Sequence, residues 1–188
     1  MSGVKLLQIQ AYGCDAQVYY VQKTFLASVS PKLAEHCHQQ PTNLDISKVA
    51  LHIFLTWLIT RDNDGIKEVG GSQMALAQAW NFGAQYDMPD FQDAVMRQLV
   101  CCLSAVDYVS PDAAREAYAT IACGTRLQRA LIAQLAIDMR RSDHAWPRNY
   151  FTDHCLQGVP EFLLDLTEAM READSQSHLK VNDFLYKH

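Results

Sequence analysis

The sequence predicts a mostly helical α+β fold, with a small sheet and helical hairpins first and further helices behind them. Three observations carry this expectation. Two short runs of β-forming residues, Val4–Ala11 and Ala16–Val21, flank a turn-like Tyr12–Asp15 that contains Gly13 and Asp15. A run that is apolar on almost every face, Asp45–Thr60, reads as a buried helix at the centre of a core. Later segments repeat apolar residues at helical spacing and begin at cap residues, Ser72, Asp90 and Ser110 among them.

Each element follows from its residues. Val4–Ala11 and Ala16–Val21 form a hairpin. Gln22–Leu26 changes to helical spacing, with Phe25, Leu26 and Val29 turned to a core. Ser30-Pro31 opens another short helix, Pro31–His38, with Ser as cap and Pro at the first helical position, where its missing N–H costs nothing. Gln39–Asn43 is a loop, and Leu44–Ile46 adds one or two strand residues. In the central run, Val49, Ile53 and Trp57 make one stripe, Ala50, Phe54 and Leu58 a second, and Leu51, Leu55 and Ile59 a third. Only His52 and Thr56 interrupt it, and Asp45 is its expected cap, because a carboxylate accepts from the free N–H groups of a first turn. The run is too short and too interrupted to cross a bilayer, which takes about 20 apolar residues.

Arg61–Gly71 is polar, holds three glycines and has no apolar period, so it reads as a surface loop. Ser72 caps a helix over Gln73–Tyr86, Asp87–Asp90 breaks it, and Asp90 caps a second over Phe91–Leu103. Ser110-Pro111-Asp112 starts a helix that runs to about Ala122 and ends before Gly124. Thr125–Arg141 carries Leu127, Leu131, Leu135 and Met139 on one stripe, with Arg126, Arg129, Arg140 and Arg141 as a solvated flank. Ser142–Gly158 is irregular, Val159–Glu172 is helical, and Val181–His188 is a short helical end.

Composition excludes some functions. The 188 residues are 49% hydrophobic and 20% charged, an ordinary globular balance, and the formal net charge is −5. A nucleic-acid or anionic-membrane surface needs clustered Lys and Arg, and the Gln73–Leu103 helix pair carries Asp87, Asp90 and Asp93 against a single Arg97. No nucleic-acid or membrane partner is expected. Met1–Gln10 lacks the basic start and long apolar run of a secretory signal. The six cysteines are therefore expected as reduced thiols in an intracellular protein of cytoplasm or nucleus.

Read in order, the elements give a hairpin, a helix pair, a central helix, a loop, a helix hairpin and more helices. This arrangement resembles the BTB/POZ fold of the Skp1/elongin C superfamily, and in particular the fungal BTB/POZ domain proteins. Gln17–Leu33 is similar to the family's passage of strand, V-H-K and L-x-x-x-S-x-x-F, with Lys23, Leu26 and Ser30 in place, Gln22 for His and Leu33 for the aromatic. Phe54–Thr60 resembles F-x-x-F-L-x-W-L-Y-T-G, with Ile59 for Tyr and Arg61 for Gly. Leu76–Leu99 resembles a longer stretch in which Tyr86, Met88, Gln92, Asp93 and Val95 match. The resemblance implies a BTB/POZ-like domain over 1–103 and a helical extension packed on it over 104–188. It implies a non-catalytic adaptor or scaffold with protein partners: a second copy of itself, or a cullin in a ubiquitin-ligase substrate adaptor. The apolar-x-Glu motif of cullin-3 adaptors belongs in the loop before the last strand. Here that loop, His36–Asn43, has no Glu, and Leu33-Ala34-Glu35 lies earlier, inside a helix.

The candidate docking faces are the exposed edge of the hairpin and the helix after Ser30, with Leu33, Glu35 and His36 as its contact residues. A second, different reading puts a metal or small-ligand enzyme in residues 143–155, with His144, Tyr150, His154 and Cys155. No cofactor, metal or catalytic residue is expected. His36-Cys37-His38 cannot converge on one ion from adjacent helical positions about 100° apart. Cys101-Cys102 point apart in the same way, which leaves Cys102 to the core and Cys101 partly exposed. Gly70-Gly71-Ser72 lacks the Lys of a phosphate-binding loop.

Overall fold

A computed structural model describes residues 5–11, 17–37, 42–69, 71–105, 108–119, 124–141, 159–172 and 180–186. Residues 12–16, 38–41 and 142–158, on which the expected turn, part of the expected loop and the expected irregular segment fall, lie outside these.

The hairpin strands are β1 (Leu6–Ala11) and β2 (Tyr19–Gln22), antiparallel from Leu6 against Gln22 to Ile9 against Tyr19. A third strand, β3 (Thr42–Leu44), runs parallel to β1, with Ile9 opposite Thr42 and Ala11 opposite Leu44. The order β2-β1-β3 leaves β2 at an edge. Alternation sends Leu7, Ile9, Ala11 and Val21 into the core and leaves Leu6 and Tyr20 outside. The third strand sits ahead of the Leu44–Ile46 expected for it, and the second begins three residues after Ala16.

Two short helices follow, α1 (Lys23–Ala27) and α2 (Pro31–His36). Ser30 caps α2 as expected, its hydroxyl accepting from Leu33 N–H at 2.9 Å. The central helix α3 (Lys48–Thr60) is capped by Ser47, not Asp45: the Ser47 hydroxyl accepts from Ala50 N–H at 3.2 Å. Asp45 lies one bend too early, on the exposed side of that turn. Helix α3 is also less enclosed than its composition suggests. Ala50, Leu51, Ile53, Phe54, Leu55, Trp57 and Leu58 are buried, but Val49 is 45% and Ile59 75% exposed. With His52 and Thr56 they make one outward stripe, spaced three and four residues apart.

The polar stretch 61–71 is not simply a loop. Asn63–Val69 forms α4, and Ile66 within it is fully buried. Asp62 accepts from Asp64 N–H at its start. One buried Ile in seven residues yields no readable period, which is why the helix is hidden in the sequence. Gly65 permits the close approach to α3, since a Cβ there would meet Thr60 Oγ1 at 2.8 Å and Thr56 Cγ2 at 3.1 Å.

Helices α5 (Gln73–Gln85) and α6 (Pro89–Ala105) form the expected hairpin, with Ser72 capping α5 through Ala75 N–H. Phe54 packs edge-on against Phe82 and Phe91 at ring separations of 5.2 and 5.3 Å, which locks α3 into the α5–α6 pair. Next come α7 (Pro111–Tyr118), α8 (Arg126–Arg141) and α9 (Pro160–Glu172), then a short 3-10 helix at Val181–Phe184. Leu127, Leu131 and Leu135 of α8 are buried as the stripe requires, and Phe162 and Leu166 of α9 join the same continuous core. Ser110 precedes α7 without using its hydroxyl as a cap; its N–H donates to Gln73 Oε1 at 2.6 Å. The structure is mostly helical with one small mixed sheet, an α+β fold. No helix among the described residues is long and apolar enough to cross a membrane.

Candidate functional site

The sheet edge and the outward stripe of α3 enclose a cleft of about 580 Å³. Tyr19–Gln22 of β2 and Phe25 of α1 form one wall, and His52, Leu55, Thr56, Leu58 and Ile59 of α3 form the other. Three of its aromatic or aliphatic side chains reach solvent: Tyr20 is 62%, Phe25 38% and Ile59 75% exposed. Phe25 was expected to face the core. Instead Leu26, its neighbour, turns inward, and Phe25 stays on the surface beneath the Arg61 guanidinium, 5.2 Å from its ring centre. The same guanidinium lies 5.0 Å from the Trp57 ring, so one cation covers two aromatic faces at the end of α3. Arg61 adopts a left-handed φ of 57°, which ends α3 and turns its side chain back over the helix.

The expected contact residues on α2 do not act together. Leu33 is fully buried, whereas Glu35 and His36 are exposed. Pro31 starts the helix, and Leu33 and Ala34 supply its inner face; Leu33 therefore belongs to packing, and a partner on this helix would meet Lys32, Glu35 and His36. Lys32 pairs with Asp87 at 3.2 Å across the surface, and the His36 ring lies 5.6 Å from Tyr86. Cys37, next to His36, is fully buried, so the two side chains diverge.

The buried titratable groups in this region are kept neutral. Burial pushes the Cys37 thiol up, opposed in part by a hydrogen bond with Thr42. Burial also raises the Tyr86 phenol, with Cys37 and Asp45 adding to the shift. Cys102 is raised by burial, against the hydrogen bond from Gln98. Cys101 is exposed and Cys102 half-buried, as their helical spacing implied. No cluster of His, Cys, Asp or Glu among the described residues suits a metal ion. His144, Tyr150, His154 and Cys155 lie outside the described residues, as does His38.

One contact set escaped sequence reasoning. The backbone N–H of Tyr186 donates to both Asp93 carboxylate oxygens at 2.8 and 3.1 Å, and its hydroxyl donates to Gln92 Oε1 at 3.0 Å. The Arg126 guanidinium stacks over its ring at 3.6 Å, so Arg126 is not part of a solvated flank. The available signal was Gln92-Asp93, a polar pair on the inner side of an otherwise apolar helix.

Comparison with protein-family models, with curated proteins and with solved structures finds no match to this chain.

Proposed function

We propose that this chain is a non-catalytic protein-interaction module, an adaptor or scaffold, built as a BTB/POZ-like domain over 1–103 with a helical extension over 104–188. The element order supports this reading: hairpin, short helix pair, parallel third strand, central helix, helix hairpin, further helices. The observation that carries the functional part is the cleft at the sheet edge, where Tyr20, Phe25 and Ile59 lie exposed along one surface. Aromatic and aliphatic side chains grouped on rigid elements are what an interface core uses. The chain acts inside the cell on this reading, in keeping with its cysteines, and its partners are proteins.

Affinity purification of the full tagged chain from its source cells, read by mass spectrometry, tests the proposal. A protein recovered in stoichiometric amount supports it. A cullin with its RING partner, lost on Glu35→Lys or His36→Asp, would identify a substrate adaptor. Recovery of the chain alone under gentle conditions would remove the support for an interaction module.

A further inference from the structure

We infer that the cleft between β2 and α3 receives an extended, acidic, apolar-rich segment of a partner protein. The inference rests on the interaction reading and adds the surface and the chemistry of what it takes.

The β2 edge supplies the backbone half of the argument. Tyr19–Gln22 is bonded to β1 on one side, and its other edge pairs with no strand among the described residues. An edge strand without a partner offers a row of N–H and C=O groups to an incoming extended chain. Edges that avoid this carry Lys, Pro or inward charges; the four residues YYVQ carry none of them. The opposite wall is largely apolar, with Leu55 and Leu58 below, Ile59 standing in solvent, and His52 and Thr56 between them. An added strand here would lay alternate side chains against Ile59, Phe25 and Tyr20.

The charge pattern selects the occupant. The chain as a whole is acidic, with 21 Asp and Glu against 16 Lys and Arg. Yet among the described residues no acidic one lines this cleft. His52 lies within it, Lys23 falls between Gln22 and Phe25 of its wall, and Arg61 covers Phe25 at its end. Lys48 is one turn before His52 on the same helix face. Lys23, Arg61 and Lys48 make no ion pair among the described residues, where the pairs present are Lys32–Asp87 and Arg115–Asp112. Largely apolar walls with the Arg61 guanidinium over Phe25 at one end, and with Lys23 and Lys48 adjoining the lining residues in sequence, in a protein of opposite overall charge, fit a segment bearing Asp and Glu between apolar residues. A second copy of this chain would bring its own cations to the same rim, which disfavours self-pairing there.

The test is selection from a random peptide library of about 12 residues, long enough to span such a strand edge, displayed against the full chain. The enriched peptides are expected to be acidic and rich in apolar residues. A synthetic copy of the most enriched peptide, followed by fluorescence anisotropy, is expected to bind at least about tenfold more weakly to Ile59→Asp and to weaken as salt rises. Ile59 is exposed, so this variant keeps its fold, checked by circular dichroism. Lys23→Glu and Arg61→Glu are expected to shift the selection towards neutral or basic peptides. Neutral or basic peptides on the wild type, no enrichment, or acidic peptides indifferent to Ile59→Asp each overturn the inference. So does a wild-type dimer that Ile59→Asp converts to a monomer, which would assign the cleft to a second copy. Cellular partners retained by Ile59→Asp would sink the cleft but leave the interaction reading standing; the absence of any partner for the wild type would sink both.

Discussion

The Ser30 hydroxyl donates to the Tyr86 carbonyl at 2.6 Å, fifty-six residues away in sequence, while it accepts the Leu33 N–H at 2.9 Å. One buried oxygen therefore starts α2 and fastens it to the last turn of α5. Ser30→Ala removes a helix cap and leaves a buried carbonyl without its donor. The expected loss is about 1–3 kcal/mol, the scale of those two effects. Urea unfolding of the two proteins at equal slope measures it. Ser30→Thr keeps the hydroxyl and is expected to recover most of the loss; equal midpoints for Ala and wild type would show the link to be immaterial.

Gly83 lies in the last turn of α5, still a helical position, where Ala would ordinarily be preferred by up to about 1 kcal/mol. Here a Cβ would meet Gln92 Cγ at 2.7 Å and Phe91 Cδ1 at 3.1 Å on α6. Neither atom is the free end of a flexible chain, and Phe91 is held against both Phe54 and Trp57. Gly83→Ala is expected to destabilise by about 1–3 kcal/mol, as overpacking does. Combining it with Gln92→Ala removes the closest clash, so the two changes are expected to cost less together than their separate sum. Strict additivity in thermal unfolding would contradict the close approach.

Apolar periods and several caps were legible from local signals, though Ser110 does not cap α7 with its hydroxyl and Asp90 lies inside α6, which starts at Pro89. Ser30-Pro31, Ser72 and the Leu127–Leu135 stripe all behave as their spacing dictates. The failures involve tertiary decisions. Asp45 and Ser47 are both competent caps, and the bend at 45–46 selects the second. α4 rests on Ile66, with Val69 partly buried at its end, and it is the neighbouring α3 and α6 that make Ile66 a core residue. The cleft was half legible: the hairpin edge, singled out in the sequence, does line it, but Leu33 was not foreseen as buried, and Ile59 was assigned to the core because α3 is apolar all round. Which stripe of such a helix meets solvent depends on what its neighbours leave uncovered, and that is not encoded in its own period.

The raised thiol and phenol groups make the fold sensitive to alkali. Cys37, Cys102 and Tyr86 hold their protons more tightly when folded than in the unfolded chain, chiefly because burial disfavours the anion. The folded state then binds more protons, so stability falls with rising pH. The contribution is intact below the ordinary thiol value of 9.0 and is lost as pH climbs through the raised folded values. Urea midpoints are expected to be level from about pH 7 to pH 8 and to drop above about pH 9. Alkylation read by peptide mass spectrometry provides the local counterpart. Cys101 is expected to label quickly in the native protein, and Cys37 only in denaturant. Native labelling of Cys37 at the rate of Cys101 would contradict its burial.

The Asp93–Tyr186 contact joins the C-terminal segment to α6, and its loss should be felt locally. Asp93 is buried and receives the Tyr186 N–H on both oxygens, while Gln92 takes the hydroxyl and Arg126 covers the ring. Tyr186→Phe removes the hydroxyl alone, with an expected cost of about 1 kcal/mol. Tyr186→Ala also removes the ring beneath Arg126, adding about 0.5–2 kcal/mol. Asp93→Asn keeps the shape but weakens the charge-assisted bond to the Tyr186 amide. Hydrogen exchange separates a local anchor from a general support of the core. On release of the anchor, amides of residues 180–186 are expected to exchange faster in all three variants, with Ala the fastest, while α3 keeps its protection. If α3 and the C-terminal segment lose protection together, the contact supports the whole core; if neither changes, Tyr186 is held by other contacts and the anchor assigned to Asp93 is wrong.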